Sequence, residues 1–403
     1  MRVHFLGIGG SGASAAAALA QAQGFEVAGC DLEPNNEFTS TFNNDQLLKG
    51  HSASHIKEDT YLLIITPAIL SLDPNNPELI TAKEKNIPIM TWQQFLGKHL
   101  TKDKFIIAVC GTHGKTTTTA MIAQMLEDAR LDPTAILGAI VPKWKTNYRV
   151  GMGKYFVVEA DEFNDNFLHL KPNITVVTNI EMDHPEYFKD FEAVKKSFDK
   201  FKKQSKKIID KPNSKLINFP LKVPGDFNIS NASLAYQIGL LLDINPQIIK
   251  QSLQNYSGVG RRFEYIEMYK SAKVYSDFGH HPTEIKVTLQ AAREKFPKER
   301  ILVIYQPHMF SRTKAFFEDF VKVFKEAPVD KIFIMDIYPS REVDTSLVTS
   351  QQLIKATNKS TVLYIGNASE TLEKLKPEIQ SGDVLLFMSA GDTDKLAREL
   401  VNP

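Results

Sequence analysis

Three α/β units built on largely parallel sheets are what the sequence predicts for this 403-residue chain. Apolar runs of strand length recur between helix-patterned segments. Two glycine loops each sit between such a run and a helix. The length also suits two to four domains at roughly 100–200 residues apiece. The apolar fraction of 43% and charged fraction of 24% are those of an ordinary globular protein. Lys plus Arg number 48 and Asp plus Glu 47, a balance that argues against a general nucleic-acid binder. With only Cys30 and Cys110, the chain offers neither a disulfide framework nor a thiolate metal site. The longest apolar run, Tyr61 to Leu70, is broken by Thr66-Pro67 and falls short of the ~20 residues of a membrane span. The start, MRVHFLGIGG, reads as a strand and a glycine turn rather than a signal peptide, so a soluble cytoplasmic protein is expected.

The first unit, residues 1–98, opens with an apolar run from Val3 to Leu6, a glycine loop and an alanine-rich helix from Ser14 to Ala22. Phe25 to Ala28, Leu62 to Thr66 and Ile87 to Thr91 are further strand candidates, the rhythm of a parallel sheet. Leu96 to Lys104, polar and lysine-rich, reads as a linker. The second unit, residues 99–262, begins with the strand Phe105 to Val109, a glycine turn and a helix from Thr116 to Ala129. Strands are expected at Tyr155 to Glu159 and Ile174 to Asn179. Phe191, Val194, Phe198 and Phe201 then fall at helical spacing as one buried stripe, which leaves the lysines between Lys195 and Lys215 as a solvated face rather than a nucleic-acid surface. The third unit, residues 263–403, has strand candidates at Val274–Ser276, Ile301–Tyr305, Lys331–Met335, Val362–Ile365 and Val384–Met388. Helices are expected between them at Thr283 to Lys295 and Ala315 to Ala327.

Two glycine loops carry phosphate chemistry. Gly7 to Gly12, GIGGSG, fits G-x-G-x-x-G after a strand and before a helix, where backbone N–H groups and the helix N-terminus attract a diphosphate. Asp31, 19 residues beyond Gly12, is placed to meet a ribose hydroxyl. These residues predict a Rossmann-like domain and a diphosphate-containing nucleotide, without specifying NAD. The second loop, Gly111 to Thr117 (GTHGKTT), ends in Gly114-Lys115-Thr116, the working end of a P-loop. Its N–H groups cradle phosphates, Lys115 neutralises their charge and the Thr116 hydroxyl suits Mg²⁺. Val109 stands where the full pattern has glycine, so this is a shorter variant.

Carboxylates follow at strand ends. Glu159-Ala160-Asp161-Glu162 closes one strand and Thr178 to His184 (TNIEMDH) the next, where a parallel sheet presents metal ligands; Glu159 and His184 are the candidates. In the third unit, Asp277 to Pro282 (DFGHHP) and Gln306 to Thr313 (QPHMFSRT) follow strands. Without H-E-x-x-H spacing zinc is weak there, and binding of an anionic substrate by Arg312 and His308 is more economical. The alternative partner for Arg312 is an acid on the following helix, Glu318 or Asp319.

Taken together, GIGGSGAS, GTHGKTTTT, EADE, TNIEMDH, GRRFE, DFGHHPTEI and QPHMFSRT resemble, in order, the motifs of the Mur ligase family. The resemblance spans nearly the whole chain and is strongest to the branch that adds L-alanine to UDP-N-acetylmuramate. It implies a Rossmann-like N-terminal domain, a shortened central P-loop ATPase-like domain and a C-terminal Rossmann-like α/β domain. It implies that Gly7, Gly9, Gly10, Ser11, Gly12 and Asp31 bind the UDP-sugar. Gly111, Thr112, His113, Gly114, Lys115, Thr116 and Thr117, with Asn228, Asn231, Arg261 and Arg262, would bind ATP. Thr116, Glu159 and His184 would hold Mg²⁺, and His280, His308 and Arg312 the muramoyl carboxylate and the incoming amino acid. Lys115, Glu159, His184, His280 and Arg312 would carry catalysis, in a monomer or homodimer.

The chain departs from the family pattern at Phe227, where histidine is usual, at Met309, and in the short segment from Ile208 to Val223. Three alternatives remain at this point: a recycling ligase that attaches a tripeptide to the same sugar nucleotide, an NAD-dependent dehydrogenase, and a nucleotide-sensing protein on the same fold. The dehydrogenase leaves GTHGKTT unexplained, and the sensor does not account for Lys115, Thr116, Glu159 and His184 together.

Overall fold

Strands with apolar side chains on both faces need helices on both faces, and this chain builds three such sheets. A computed structural model describes residues 1–340, 342 and 347–402. Its first sheet comprises β1 (Arg2–Leu6), β2 (Glu26–Asp31), β3 (Leu47–Lys49), β4 (Thr60–Ile65) and β5 (Ile89–Thr91), all parallel in the order β3-β2-β1-β4-β5. The second comprises β6 (Phe105–Cys110), β7 (Thr134–Val141), β8 (Thr146–Arg149), β9 (Tyr155–Glu159), β10 (Ile174–Val177) and β11 (Lys207–Ile209), in the order β11-β10-β6-β9-β7-β8. Only its β7–β8 pair is antiparallel. The third comprises β12 (Glu264–Tyr269), β13 (Ala272–Asp277), β14 (Ile301–Tyr305), β15 (Lys331–Met335), β16 (Val362–Gly366) and β17 (Val384–Met388), in the order β12-β13-β17-β14-β15-β16. There the antiparallel pair is β12–β13, at the edge. Every residue of β14 and β17 is buried, as a central parallel strand requires.

The chain divides into two compact units. The first takes Met1–Ile180, Val194–Leu216 and Asn231–Leu253, and so holds the first two sheets. The second takes Glu181–Ala193, Ile217–Ser230 and Gln254–Pro403, and holds the third.

Three local expectations change. The predicted linker Leu96 to Lys104 begins instead as a π-helical turn, Leu96–Leu100, with both leucines buried. Gly97 lies so close to the His169 carbonyl that a Cβ has no room, so packing rather than polarity sets this segment. The stripe on the Phe191–Lys203 helix buries Val194, Phe198 and Phe201 but leaves Phe191 38% exposed. Phe167 covers the other two rings, stacked on Phe201 at 4.4 Å and edge-on to Phe198 at 5.3 Å, while Lys195, Lys196 and Lys200 are exposed. Finally, the helix expected from Ala315 runs Phe317–Glu326 and is preceded by a separate short helix, Phe310–Ala315. Met309, at φ +71°, turns the chain sharply into that short helix, so Arg312 is carried on a helix and not in a loop.

After β11 the described chain passes through one short turn, Ser214–Leu216, before the Asp226–Leu241 helix, in line with the shortened central segment. No helix among the described residues is long and apolar enough to cross a membrane.

Phe198 is fully buried against Phe167, so Phe198→Ala leaves a cavity that the stacked rings can fill only in part. Its expected cost is about 3–5 kcal/mol in the first unit, read as a lower urea midpoint by tryptophan fluorescence.

Candidate functional site

The P-loop grows out of the most buried part of the second sheet. β6 lies between β10 and β9, so the loop, the acids after β9 and the Thr178-Asn179 turn after β10 all leave the carboxyl ends of adjacent strands. Gly114 has φ +81°, and a Cβ there would stand 2.5 Å from Asn231 Oδ1, so only glycine fits. Asn179 braces the loop at both polarities. Its side-chain oxygen accepts from the His113 N–H at 2.9 Å, its amide donates to the His113 carbonyl at 2.9 Å, and its carbonyl accepts from Thr112 N–H at 3.1 Å. The Lys115–Asp128 helix then begins with its open N–H groups at the loop, the place for an anion.

The Lys115 ammonium folds back over this loop. It donates to the carbonyls of Gly111 at 2.7 Å and Thr112 at 3.2 Å, and to Glu162 at 3.0 Å. Burial disfavours its charge, but Glu162, Asp161 and Glu159 outweigh burial and hold it protonated well above neutral pH. Glu159 is fixed from two sides, accepting from Thr116 Oγ1 at 2.9 Å and from the Gly138 N–H at 2.7 Å. Hydroxyl and carboxylate oxygens side by side are the hard donor set that Mg²⁺ takes, so Thr116 and Glu159 fit that ion.

The N-terminal glycine loop belongs to the same unit. The N–H groups of Gly7 and Ile8 donate to the Cys30 carbonyl at 2.9 and 3.1 Å. Asp31, expected at a ribose, uses Oδ2 to accept the Gly9 N–H at 3.0 Å, and so shapes the loop itself. Gly12 packs flat on Trp92, where any side chain would collide with the indole. The helix Ser11–Ala22 is tied to the second sheet by Asn147 Nδ2, which donates to the Ser11 carbonyl at 2.7 Å. Gly10 directly precedes that helix.

In the second unit a buried ion pair organises the histidines. Arg312, 2% exposed, donates from Nε (3.1 Å) and Nη2 (2.8 Å) to Asp183 Oδ1. The carboxylate facing Arg312 is therefore neither Glu318 nor Asp319, and the guanidinium edge expected to grip a substrate is engaged by the protein's own acid. Burial opposes charge on Asp183, but Arg312, with His184, His280 and His281 nearby, holds its carboxyl far below the usual range. Nη1 of Arg312 lies 3.3 Å from Nδ1 of His308, whose ring stacks on Tyr338 at 5.7 Å and lies 5.7 Å from His280. Burial and the Arg312 charge push the His280 imidazole down to about 4, so it is neutral at pH 7. Its Nδ1 stands 3.1 Å from the Phe278 carbonyl, which places the ring proton on Nδ1 and leaves the lone pair on Nε2.

The neighbouring His281 has a different task. Its Nδ1 accepts from the Thr283 N–H at 3.3 Å and caps the Pro282–Lys295 helix. His184 contacts Glu186 through Nδ1 at 3.2 Å. Arg261 and Arg262, expected at the nucleotide, lie over the Phe278 ring at 4.8 and 5.0 Å, and Arg261 also donates to the Ser389 carbonyl. Asn228 donates to the Pro224 carbonyl at 2.7 Å and belongs to the second unit, whereas Asn231 abuts the P-loop in the first.

Three residues of this architecture escaped the sequence reading. Asn179, Asp183 and Glu162 all lie inside the TNIEMDH and EADE segments, so the signal was present, but nothing local assigns a carboxamide to a loop or an acid to an arginine 129 residues away.

Known families match the chain along its length. The models for the Mur ligase family catalytic domain, the Mur ligase middle domain and the Mur ligase glutamate ligase domain match residues 2–104, 109–209 and 261–391. The chain is 33% identical to the UDP-N-acetylmuramate–L-alanine ligase of Aquifex aeolicus, with 99% of this chain and 97% of that protein covered. It is 36% identical to the enzyme of the same name from Acetivibrio thermocellus, with 98% and 94% covered. The aligned span with the Aquifex protein, 457 positions, exceeds the 403 residues here, so that relative carries residues this chain lacks. Among solved structures, the UDP-N-acetylmuramate-alanine ligase of Thermotoga maritima superposes with a TM-score of 0.81 at 27% identity, covering 100% of this chain and 98% of that one. A murein peptide ligase from Psychrobacter arcticus shares the fold at a TM-score of 0.70 and 20% identity, with 100% and 98% covered. The two glycine loops, the acids beside the second, and these matches along the whole chain lead to one conclusion: the protein belongs to the Mur ligase family.

Proposed function

We propose that this chain is an ATP-dependent ligase that joins L-alanine to UDP-N-acetylmuramate through an acyl phosphate, with release of ADP and phosphate, in the cytoplasmic assembly of peptidoglycan precursors. The observation that carries the proposal is the P-loop with Lys115 at its mouth and the Thr116–Glu159 pair held beside it. The names of the full-length relatives support the substrates. We assign residues 1–98 to the UDP-sugar, 99–262 to ATP and 263–403 to the amino acid.

A carboxylate resists attack by an amine because its leaving group would be oxide. ATP with Mg²⁺, when bound, supplies a phosphoryl group that turns that oxygen into a good leaving group. Thr116 and Glu159 would hold the ion, Lys115 would neutralise phosphate charge, and the loop N–H groups would fix the chain of phosphates. The GIGGSG loop binds the diphosphate of the sugar nucleotide in the same manner. In the second unit, neutral His280 offers Nε2 to an N–H of the incoming amine. Arg312 is a positioning residue, since its fork is committed to Asp183, and His308 packs between that fork and Tyr338.

Lys115→Ala is expected to lower phosphate release dependent on UDP-N-acetylmuramate and L-alanine on the order of a hundredfold or more. Calorimetry should still detect the sugar nucleotide, because its loop is separate. Loss of that binding together with activity would refute the two-loop assignment, and phosphate release that is indifferent to the amino acid would refute the ligase.

Asp183→Asn leaves the Arg312 charge buried without its partner, with an expected loss of about 3–5 kcal/mol in chemical denaturation. The carboxyl titrates far lower folded than unfolded. Its contribution is therefore complete above the ordinary carboxylate range near pH ~4 and is lost as pH falls below it. The stability gap between wild type and Asp183→Asn should be flat from neutral pH down to that range and narrow in stronger acid. A gap that widens on acidification would contradict the assignment.

A further inference from the structure

The first sheet holds a cluster of soft and borderline ligands that takes no part in phosphate binding. His4, in the middle of β1, pairs in register with Ala28, so it and Cys30, two residues on along β2, project from the same face of the sheet. Glu78, second residue of the Pro77–Glu84 helix, approaches that face, and His51 and His55 come from the segment after β3. Glu78 and Cys30 are fully buried and His4 nearly so.

One carboxylate lies at the centre. Glu78 Oε2 is 2.9 Å from His4 Nε2 and 3.1 Å from Cys30 Sγ. Its Oε1 is 2.9 Å from His55 Nδ1 and 3.0 Å from the same sulfur. The Ser52 N–H adds a contact to Oε1 at 3.2 Å, and His51 Nδ1 stands 3.4 Å from the sulfur. His4, Cys30, His55 and the Ser52 N–H already match the acceptor sites of one carboxylate, and His51 brings a third imidazole to the sulfur beyond that need.

We propose that His4, Cys30, His55 and Glu78 form a structural site for a divalent cation of the zinc type. One ligand atom from each of the four falls within 4.8 Å of all the others. Ligands at about 2.0–2.3 Å from a tetrahedral zinc lie roughly 3.3–3.8 Å from one another, so the contacts now at 2.9–3.1 Å part slightly while the others, all within 4.8 Å, settle to the same spacing. The set is one thiolate, two imidazoles and one carboxylate, which suits zinc and disfavours Mg²⁺ or Ca²⁺. It is closed by four protein ligands, the pattern of structural and not catalytic zinc, and His51 is left beside the sulfur as an outer contact.

Without a metal, burial and the neighbouring Glu78 raise the Cys30 thiol far above its usual range, so it carries its proton. Binding breaks the S–H bond, forms the S–metal bond and sends the proton to solvent. The thiolate and carboxylate together then match the charge of the ion. His51 and His55, 15% and 14% exposed, give the route of entry. The site underpins the first glycine loop, because the Cys30 carbonyl accepts from Gly7 and Ile8 and the next residue, Asp31, holds Gly9. With only two cysteines in the chain, no local spacing pattern announces such a site, which is why the sequence excludes it on inspection.

The test is a Co²⁺ titration of metal-free, full-length protein in excess Mg²⁺, which keeps the phosphate site from competing. One equivalent should produce the visible bands of tetrahedral cobalt and a thiolate-to-cobalt charge-transfer band in the near ultraviolet, and Zn²⁺ should bleach both. The charge-transfer band should vanish in Cys30→Ser, persist in Cys110→Ser, and require at least about tenfold more Co²⁺ in His55→Ala. Zn²⁺ should also raise the thermal midpoint of wild type and not of Cys30→Ser. Absence of a charge-transfer band in the wild-type protein, which needs no variant to fold, would overturn the proposal and reduce the cluster to a hydrogen-bonded network. So would a band that survives Cys30→Ser.

Discussion

The first unit depends on keeping a single ammonium charged in a place where burial disfavours it. Lys115 is enclosed by two carbonyls of its own loop and by the acids that follow β9. That enclosure is a product of strand order. β10, β6 and β9 are neighbours and parallel, so Asn179, the P-loop and Glu159 to Glu162 emerge at one edge of the sheet without any long excursion of chain. Displacing β9 would separate the lysine from its counter-charges, and displacing β10 would remove the Asn179 brace from the loop. The enclosure leaves more negative than positive charge around Lys115, which suits a cation arriving with a polyphosphate better than a polyphosphate alone.

The second unit solves the same electrostatic problem with the signs exchanged. Here the buried acid, Asp183, is made tolerable by the fork of Arg312, and the histidines around them feel both charges. Burial first, and then the Arg312 charge against the opposing acids, keep the His280 ring neutral, with its proton fixed on Nδ1 by the Phe278 carbonyl. A neutral imidazole accepts a hydrogen bond from an amine, which an imidazolium cannot do. The pair therefore shapes the chemistry of its neighbours more than it stabilises the fold, since burying two charges costs about what their attraction returns.

Much of this was legible in the sequence, because strand–glycine–helix patterns and strand-end acids are local. The α/β class and the strand–loop–helix settings of the two glycine loops, with Lys115, Thr116 and Glu159 beside the second, needed no tertiary information. What the sequence did not yield is consistently non-local. The hydrogen bond from the Gly9 N–H to the Asp31 carboxylate could not be read from its spacing, because it depends on the geometry of the loop. Arg312 reads in the sequence as a grip for an anionic substrate, with acids on the next helix as the alternative partner, but the carboxylate it holds lies 129 residues away, after β10. Leu96 to Lys104 looks like a linker by composition, and only the burial of Leu96 and Leu100 and the approach of Gly97 to the His169 backbone show that it begins as a packed helical turn. The His4–Cys30–His55–Glu78 cluster draws on four separate elements, so its members have no common motif.

The central claim is that a substrate carboxylate is activated by phosphorylation before the amine attacks. An oxygen-labelling experiment tests it directly. UDP-N-acetylmuramate carrying ¹⁸O in its muramoyl carboxylate is turned over with ATP, Mg²⁺ and L-alanine, and the released inorganic phosphate is analysed by mass spectrometry. The acyl-phosphate route carries a carboxylate oxygen into that phosphate, so each phosphate formed from fully labelled carboxylate should contain one ¹⁸O. Release of unlabelled phosphate in step with amide formation would contradict the account.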